Sequence, residues 1–135
     1  MKISYEYLAQ ILSKFLDSTE PHLNWKSFDN ELHENEKLFF FHIFILQDKG
    51  LLIGATSDST NIGVNFNANA NVYQYWNTPI RLTAKGHDFA EALSKPSIKE
   101  VIVNKFKDEG LSAVIEISKS LAEKHAEKLL SEVIL

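Results

Sequence analysis

The chain has 135 residues, of which 44% are hydrophobic and 24% are charged, and its formal charge is −4. This length and composition are typical of one globular domain, and no apolar run approaches the roughly 18 residues that a membrane-spanning helix requires. Because the chain has no cysteine, disulfides, cysteine zinc sites and thiol catalysis are excluded. We therefore expect a single domain over residues 1–135, in the cytoplasm, without a targeting segment.

The N-terminal part of the chain predicts two helices. Ser4 is a candidate N-cap, and apolar residues then recur at helical spacing to about residue 17. Residues 20–22 break this pattern. A short second helix is favoured from Trp25 to Leu32, because its aromatic and aliphatic residues fall on one face.

A third helix is predicted from residue 36 to residue 49, between Asn35 as N-cap and Gly50 as stop. Its residues are spaced about 100° apart around the axis. The predicted core face comprises Leu38, Phe39, His42, Ile43, Ile45 and Leu46. The opposite face comprises Glu36, Lys37, Phe40, Phe44, Gln47 and Asp48. Either later segments of the chain cover Phe40 and Phe44, or the two rings belong to a surface that binds a partner or a second copy.

The middle of the chain predicts strands. Leu51, Leu52 and Ile53 form the first, and residues 54–60 read as a flexible loop. From Ile62, apolar residues alternate with asparagines, which predicts a long strand that folds back near residues 68–71 and leads to a last strand at Ile80. A disordered asparagine-rich loop is the alternative, because asparagine disfavours strands.

Three helices are predicted in the last part of the chain. Thr83 caps the first, Pro96 begins the second with Gly110 as its terminator, and the last runs from about Ser112 to Val133. Alanines at positions 122 and 126 permit close approach of another helix. That helix belongs either to the same chain or to a second copy.

This element order predicts an α+β fold, with a winged helix-turn-helix-like core over residues 1–95, a long asparagine-rich wing and a C-terminal helical extension over residues 96–135. Two segments are distinctive: FHIFILQDKGLL at residues 41–52 and LTAKGHDF at residues 82–89. They resemble the YHLxLLxxAGLI and LTWEGHEFLD segments of a small bacterial and phage winged-helix family of unknown function. The resemblance spans about residues 35–130. It implies this fold and a prokaryotic or phage setting, and it brings no activity with it. Ala84 and Phe44 depart from the family pattern, which commonly has Trp and a polar residue there.

Motifs for catalysis or metal binding do not emerge. The five histidines lack a metal-ligand spacing, no serine lies in a Gly-x-Ser-x-Gly turn, and the five glycines are too scattered for a phosphate loop. We expect no enzymatic activity, no metal and no cofactor.

The predicted function is that of a non-enzymatic regulatory module that binds another protein or itself. Its predicted partner-binding residues are Phe40, Phe44, Gln47, Tyr73, Tyr75 and Trp76. The alternative is a DNA-binding transcriptional regulator. Its positive face would comprise Lys37, Lys49, Arg81 and Lys85. The acidic net charge and the single arginine disfavour this alternative, because DNA binding depends on clustered cations.

Overall fold

The computed structural model describes residues 1–133, which fold into an α+β structure with five α-helices and two small antiparallel sheets. The helices are α1 (Tyr5–Asp17), α2 (Asp29–Asp48), α3 (Ala84–Ser94), α4 (Pro96–Lys105) and α5 (Leu111–Val133), and a 3₁₀ helix covers Trp25–Phe28. The strands are β1 (Leu52–Gly54), β2 (Val64–Asn67), β3 (Val72–Tyr75) and β4 (Ile80–Leu82). The element order agrees with the predicted one.

Two compact units make up the described chain. One comprises residues 14–87, and the other comprises residues 1–13 with the described residues from Asp88 onward. No helix within residues 1–133 combines the length and the apolar character that crossing a membrane would require.

Helix α2 contains the predicted boundary between the second and third helices. Asn35 has non-helical dihedrals, φ −161° and ψ 91°, and its Oδ1 accepts a hydrogen bond from the backbone N–H of Leu38 at 3.0 Å. Asn35 is thus the N-cap of the second half of α2, as predicted. Gly50 follows the helix with φ +69°, a left-handed conformation that glycine adopts without steric cost.

The core of the 14–87 unit is aromatic. Trp25, Phe28, Phe39 and Phe40 are buried, and their rings contact one another at centroid distances from 5.1 to 6.4 Å. The indole Nε1 of Trp25 donates to the carbonyl of Ile62 at 3.1 Å, which satisfies the polar atom of this buried side chain. The aromatic-rich sequence of α2 therefore supplies core volume.

The first sheet pairs β1 with β4, and a backbone bridge adds Leu23 beside Ile80. Leu52 and Gly54 of β1 are buried, as are Ile80 and Leu82 of β4. The strand predicted at residues 51–53 begins one residue later than expected, because the backbone N–H of residue 51 still bonds back to Leu46 of α2.

The junction between β4 and α3 has the predicted cap. Thr83 Oγ1 accepts from the backbone N–H of Gly86 at 3.0 Å and donates to the carbonyl of Gly50 at 2.6 Å. A Cβ on Gly86 would lie 2.0 Å from the carbonyl oxygen of Leu51. The motif at residues 82–89 therefore requires glycine for close packing of a helix on a backbone.

In the other unit, α4 begins at Pro96 as predicted but ends at Lys105, so Gly110 is not its terminator. Gly110 instead immediately precedes α5. Tyr5, buried in this unit, donates its hydroxyl to the carbonyl of Glu109. Burial, and then the Glu109 carboxylate, raise the pKa of Tyr5.

Helix α5 is buried only along its first half. Its buried residues are Leu111, Val114, Ile115 and Ser118. In its second half, Leu129, Leu130 and Val133 are exposed, at 50%, 57% and 79%.

Candidate interaction site

The candidate site is built on a β-hairpin that comprises residues 64–75. β2 and β3 pair antiparallel, with Val64 opposite Tyr75 and Asn67 opposite Val72. The turn between them is built from asparagines: Oδ1 of Asn67 accepts from the backbone N–H groups of residues 69 and 70 at 3.1 Å, and Asn71 has φ +54°. Asparagine tolerates this left-handed conformation better than most residues. The predicted strand that folds back near residues 68–71 is confirmed.

One face of the hairpin lies on α2. Phe66 and Tyr73 stand opposite each other in the ladder, so their side chains share a face, with ring centroids 4.9 Å apart. The ring of Tyr73 lies 4.7 Å from that of Phe40 and 6.2 Å from that of Phe44, and Tyr75 lies 5.5 Å from Phe40. These are ordinary distances for packed aromatic pairs. Aromatic rings of the hairpin thus cover the aromatic rings on α2.

Hydrogen bonds join the hairpin and the preceding loop to both ends of the second half of α2. At its start, the Glu36 carboxylate accepts from the backbone N–H of Tyr73 at 2.8 Å, and Lys37 Nζ donates to Asn71 Oδ1 at 3.1 Å. Near its end, Gln47 Nε2 donates to the carbonyl of Thr60 at 2.8 Å. The outer face of the helix is therefore in contact with this segment at both ends.

Phe40 is not available to a partner, because its side chain is 0% exposed. Of the two alternatives for this ring, the structure shows the one in which later segments of the chain cover it, since Tyr73 and Tyr75 of the hairpin pack on Phe40. Phe44 and Gln47 are half-buried for the same reason. Of the six predicted core positions, Leu38 and Ile45 are only half-buried.

The remaining predicted partner-binding residues differ in exposure. Tyr73 is half-buried, Tyr75 is 40% exposed and Trp76 is 53% exposed. Burial, followed by the carboxylates of Glu36 and Asp29, raises the pKa of Tyr75 above its ordinary value. An exposed tyrosine and an exposed tryptophan next to each other are typical of protein-binding surfaces.

The four basic residues of the DNA-binding alternative lie on different elements. Lys37 and Lys49 are twelve positions apart on and just after α2, which corresponds to about 18 Å along a helix axis. Arg81 is on β4, where its guanidinium donates to the carbonyl of Leu82 at 3.1 Å, and Lys85 is exposed on the first turn of α3. Lys37 and Lys49 adjoin the carboxylates of Glu36 and Asp48 in sequence, which weakens any positive field on this helix.

His42 is the buried titratable group of the predicted core face. It is 0% exposed, and its Nδ1 lies 2.8 Å from the carbonyl oxygen of Leu38, to which the neutral imidazole donates. Burial lowers the pKa of His42, and the bond to Leu38 opposes this shift in part. Within residues 1–133, no three His, Asp or Glu side chains are grouped so as to hold a metal ion.

The sequence patterns do not predict the roles of two residues of this site. Helical spacing places Glu36 on the polar face of α2, but it does not show that the carboxylate accepts from the hairpin backbone. Phe66 belongs to an alternating pattern, which does not show that its ring packs on Tyr73. The sequence does contain one signal for the aromatic face of the hairpin. Tyr73 and Tyr75 are two positions apart, which puts both rings on one face of a strand.

Comparison with known protein families, with curated proteins and with solved structures gave no match to this chain.

Proposed function

We propose that this chain is a non-enzymatic regulatory module of winged-helix type that acts by binding another protein or a second copy of itself. The observation that carries the proposal is the hairpin on the outer face of α2. In a DNA-reading winged helix, the corresponding helix offers polar and basic side chains to base edges in the major groove. Here, Tyr73 and Tyr75 pack on Phe40 at that face, and Glu36 bonds to the hairpin backbone.

Exposed apolar side chains support protein binding. On and beside the hairpin, Phe66, Val72, Tyr75 and Trp76 are each at least 40% exposed. On α5, Leu129, Leu130 and Val133 are at least 50% exposed and extend the stripe that is buried in the first half of that helix. Large exposed apolar patches are uncommon on monomeric proteins and mark protein-binding surfaces.

The resemblance of residues 41–52 and 82–89 to a bacterial and phage winged-helix family supports the fold assignment and a prokaryotic or phage setting. The role of Gly86 in packing against the Leu51 backbone gives the second of these motifs a physical reason. DNA-binding regulation has weaker support, because the chain has a single arginine and a net charge of −4.

Purification of the tagged full chain from its native host, at about physiological salt, tests this proposal. We expect a partner protein to co-purify in stoichiometric amount and to remain bound after nuclease treatment. The amount of that protein should fall when Trp76→Ala replaces the parent chain. The matched control is Gln74→Ala, an exposed change on the same hairpin that removes no aromatic ring. Nuclease-sensitive nucleic acid as the main co-purifying species would contradict the proposal.

A further inference from the structure

We propose that the outer edge of β2 pairs with the β2 strand of a second copy of this chain, across a two-fold axis at Asn65. The inference rests on the proposed function, of which it names one surface: self-association through a strand edge.

The alternation of hydrogen-bonded and non-hydrogen-bonded pairs along the hairpin shows which backbone groups face outward. The N–H of Tyr73 points away from β2, since it donates to Glu36 Oε1 at 2.8 Å. Three residues later, the N–H of Trp76 points toward the β2 side and donates to the carbonyl of Gly63 at 3.1 Å. Because directions alternate along an antiparallel strand, Tyr73 and its opposite residue Phe66 form a non-hydrogen-bonded pair.

The same alternation applies to Val64 and Tyr75. The backbone N–H and C=O groups of Val64 and Phe66 therefore point away from β3, toward the outer edge of β2. The opposite edge of the hairpin is the one that faces Glu36 of α2. The donors and acceptors on the outer edge of β2 are spaced as a pairing strand requires.

This edge lacks the charges and prolines that usually protect edge strands from pairing. Residues 59–80 contain no Asp, Glu, Lys, Arg or His, and the one proline in that range is Pro79, outside both hairpin strands. Proteins ordinarily place Lys, other charges or Pro on exposed edges to prevent such contacts. Phe66, 43% exposed, adds apolar surface at the same edge.

A second copy fits this edge because the strand is self-complementary. With Asn65 opposite Asn65 of the second copy, Val64 stands opposite Phe66 of that copy, and each such pair exchanges both backbone hydrogen bonds. The apolar side chains of these pairs then lie on one face and cover each other. The Asn65 amides face each other across the axis and are complementary, since an amide both donates and accepts. A two-fold axis brings any charged residue near it against its own copy, and the uncharged run removes that repulsion.

The pairing is weak by itself. β2 has four residues, and an edge contact of this length buries much less than the roughly 1,200 Å² of a stable interface. We therefore expect a dimer whose population depends on concentration.

Sedimentation equilibrium of the full chain, from about 10 μM to about 1 mM, tests the proposal. The variants place a positive or a negative charge at the two-fold axis. Asn65→Lys and Asn65→Glu should each associate about fivefold more weakly than the parent chain, because like charges then stand directly opposite each other. An equimolar mixture of the two variants should associate at least as well as the parent chain. Asn69→Lys and Asn69→Glu, in the hairpin turn, are matched controls that should change nothing. Amide chemical shifts of the hairpin verify that each variant keeps its fold.

The β2 pairing would be overturned if Asn65→Lys alone associated as strongly as the parent chain, or if the mixture of the two variants associated more weakly than the parent chain. Either result would leave open self-association through another surface. A parent chain that stays monomeric throughout would also overturn the β2 pairing, and would remove self-association from the proposed function. Binding of a different protein is decided separately by the co-purification experiment.

Discussion

His42 is a single polar residue whose burial and pKa are determined by the apolar residues around it in α2. Its position on the predicted core face predicts burial. The structure confirms the burial and shows the hydrogen bond from the ring to the carbonyl of Leu38. The cost of placing a charge at this position explains the lowered pKa of His42.

This pKa shift predicts a pH dependence of stability. The folded state takes up a proton at lower pH than the unfolded chain, whose histidine has its ordinary pKa of about 6.5. The unfolded chain therefore binds more protons once the pH falls below about 6.5, and the free energy of unfolding decreases until the pKa of folded His42 is reached. For one proton, the slope is at most about 1.4 kcal/mol per pH unit.

Urea unfolding of the parent chain and of His42→Gln between about pH 7.5 and pH 5 measures this contribution. The stability of the parent chain relative to the variant should decline across that window, since the variant has no group to protonate at this position. A difference between the two proteins that is independent of pH would contradict the assignment.

At the scale of elements, sequence periodicity predicted the helices and strands well because caps and stops are local. The caps at Ser4, Asn35 and Thr83 and the left-handed Gly50 follow from short-range hydrogen bonds and dihedral preferences. The sequence leaves open whether later segments cover Phe40 and how far α5 is buried, because both depend on contacts between segments far apart in the chain.

Gly86 at the start of α3 provides a sharp test of element packing. Gly86→Ala would place its Cβ 2.0 Å from the carbonyl oxygen of Leu51, a contact that only a backbone shift relieves. We expect a loss of about 2 to 4 kcal/mol in the free energy of unfolding by urea titration.

Gly110→Ala is the matched control for this substitution. Its Cβ would meet nothing within 4 Å, and Gly110 is not among the glycines with positive φ. The control should be neutral or stabilising by up to about 1 kcal/mol, because alanine restricts the unfolded chain. Equal effects of the two substitutions would show that α3 does not pack against the Leu51 backbone.

The hairpin depends on α2 in a way that hydrogen exchange can measure. A two-stranded hairpin is marginally stable in water, so the packing of Tyr73 on Phe40 and Phe44 should hold it in place. Tyr73→Ala should accelerate amide exchange in residues 64–75 by about tenfold or more and leave the β1–β4 amides much less affected.

Gln74→Ala is the control, since Gln74 is exposed and lies on the other face of the hairpin. Exchange rates in that variant should stay within about twofold of the parent chain, because surface substitutions of this kind usually change stability by less than about 0.5 kcal/mol. Hairpin protection that survives Tyr73→Ala would mean that the ring contacts do not hold the hairpin on α2.

At the scale of the whole molecule, the charge pattern and the covered face of α2 support the same proposal. The sequence predicted poor DNA binding from its acidic balance and single arginine, and the structure adds aromatic packing and a carboxylate–backbone bond at the face a DNA reader would use. The candidate surface for proteins could be predicted only in part. The sequence predicts Tyr75 and Trp76 as contacts, and the structure shows that both are exposed, while their binding to a partner stays a prediction. The β2 edge becomes visible only from the strand pairing and its hydrogen bonds.

Fluorescence anisotropy at about physiological salt, with labelled duplexes drawn from host genomic sequence, measures whether the full chain binds DNA. We expect no affinity better than micromolar, because even non-specific binders with clustered cations reach only about 10⁻⁴ to 10⁻⁶ M under these conditions. Nanomolar binding that weakens steeply with added salt would contradict this expectation and would favour the DNA-binding regulator.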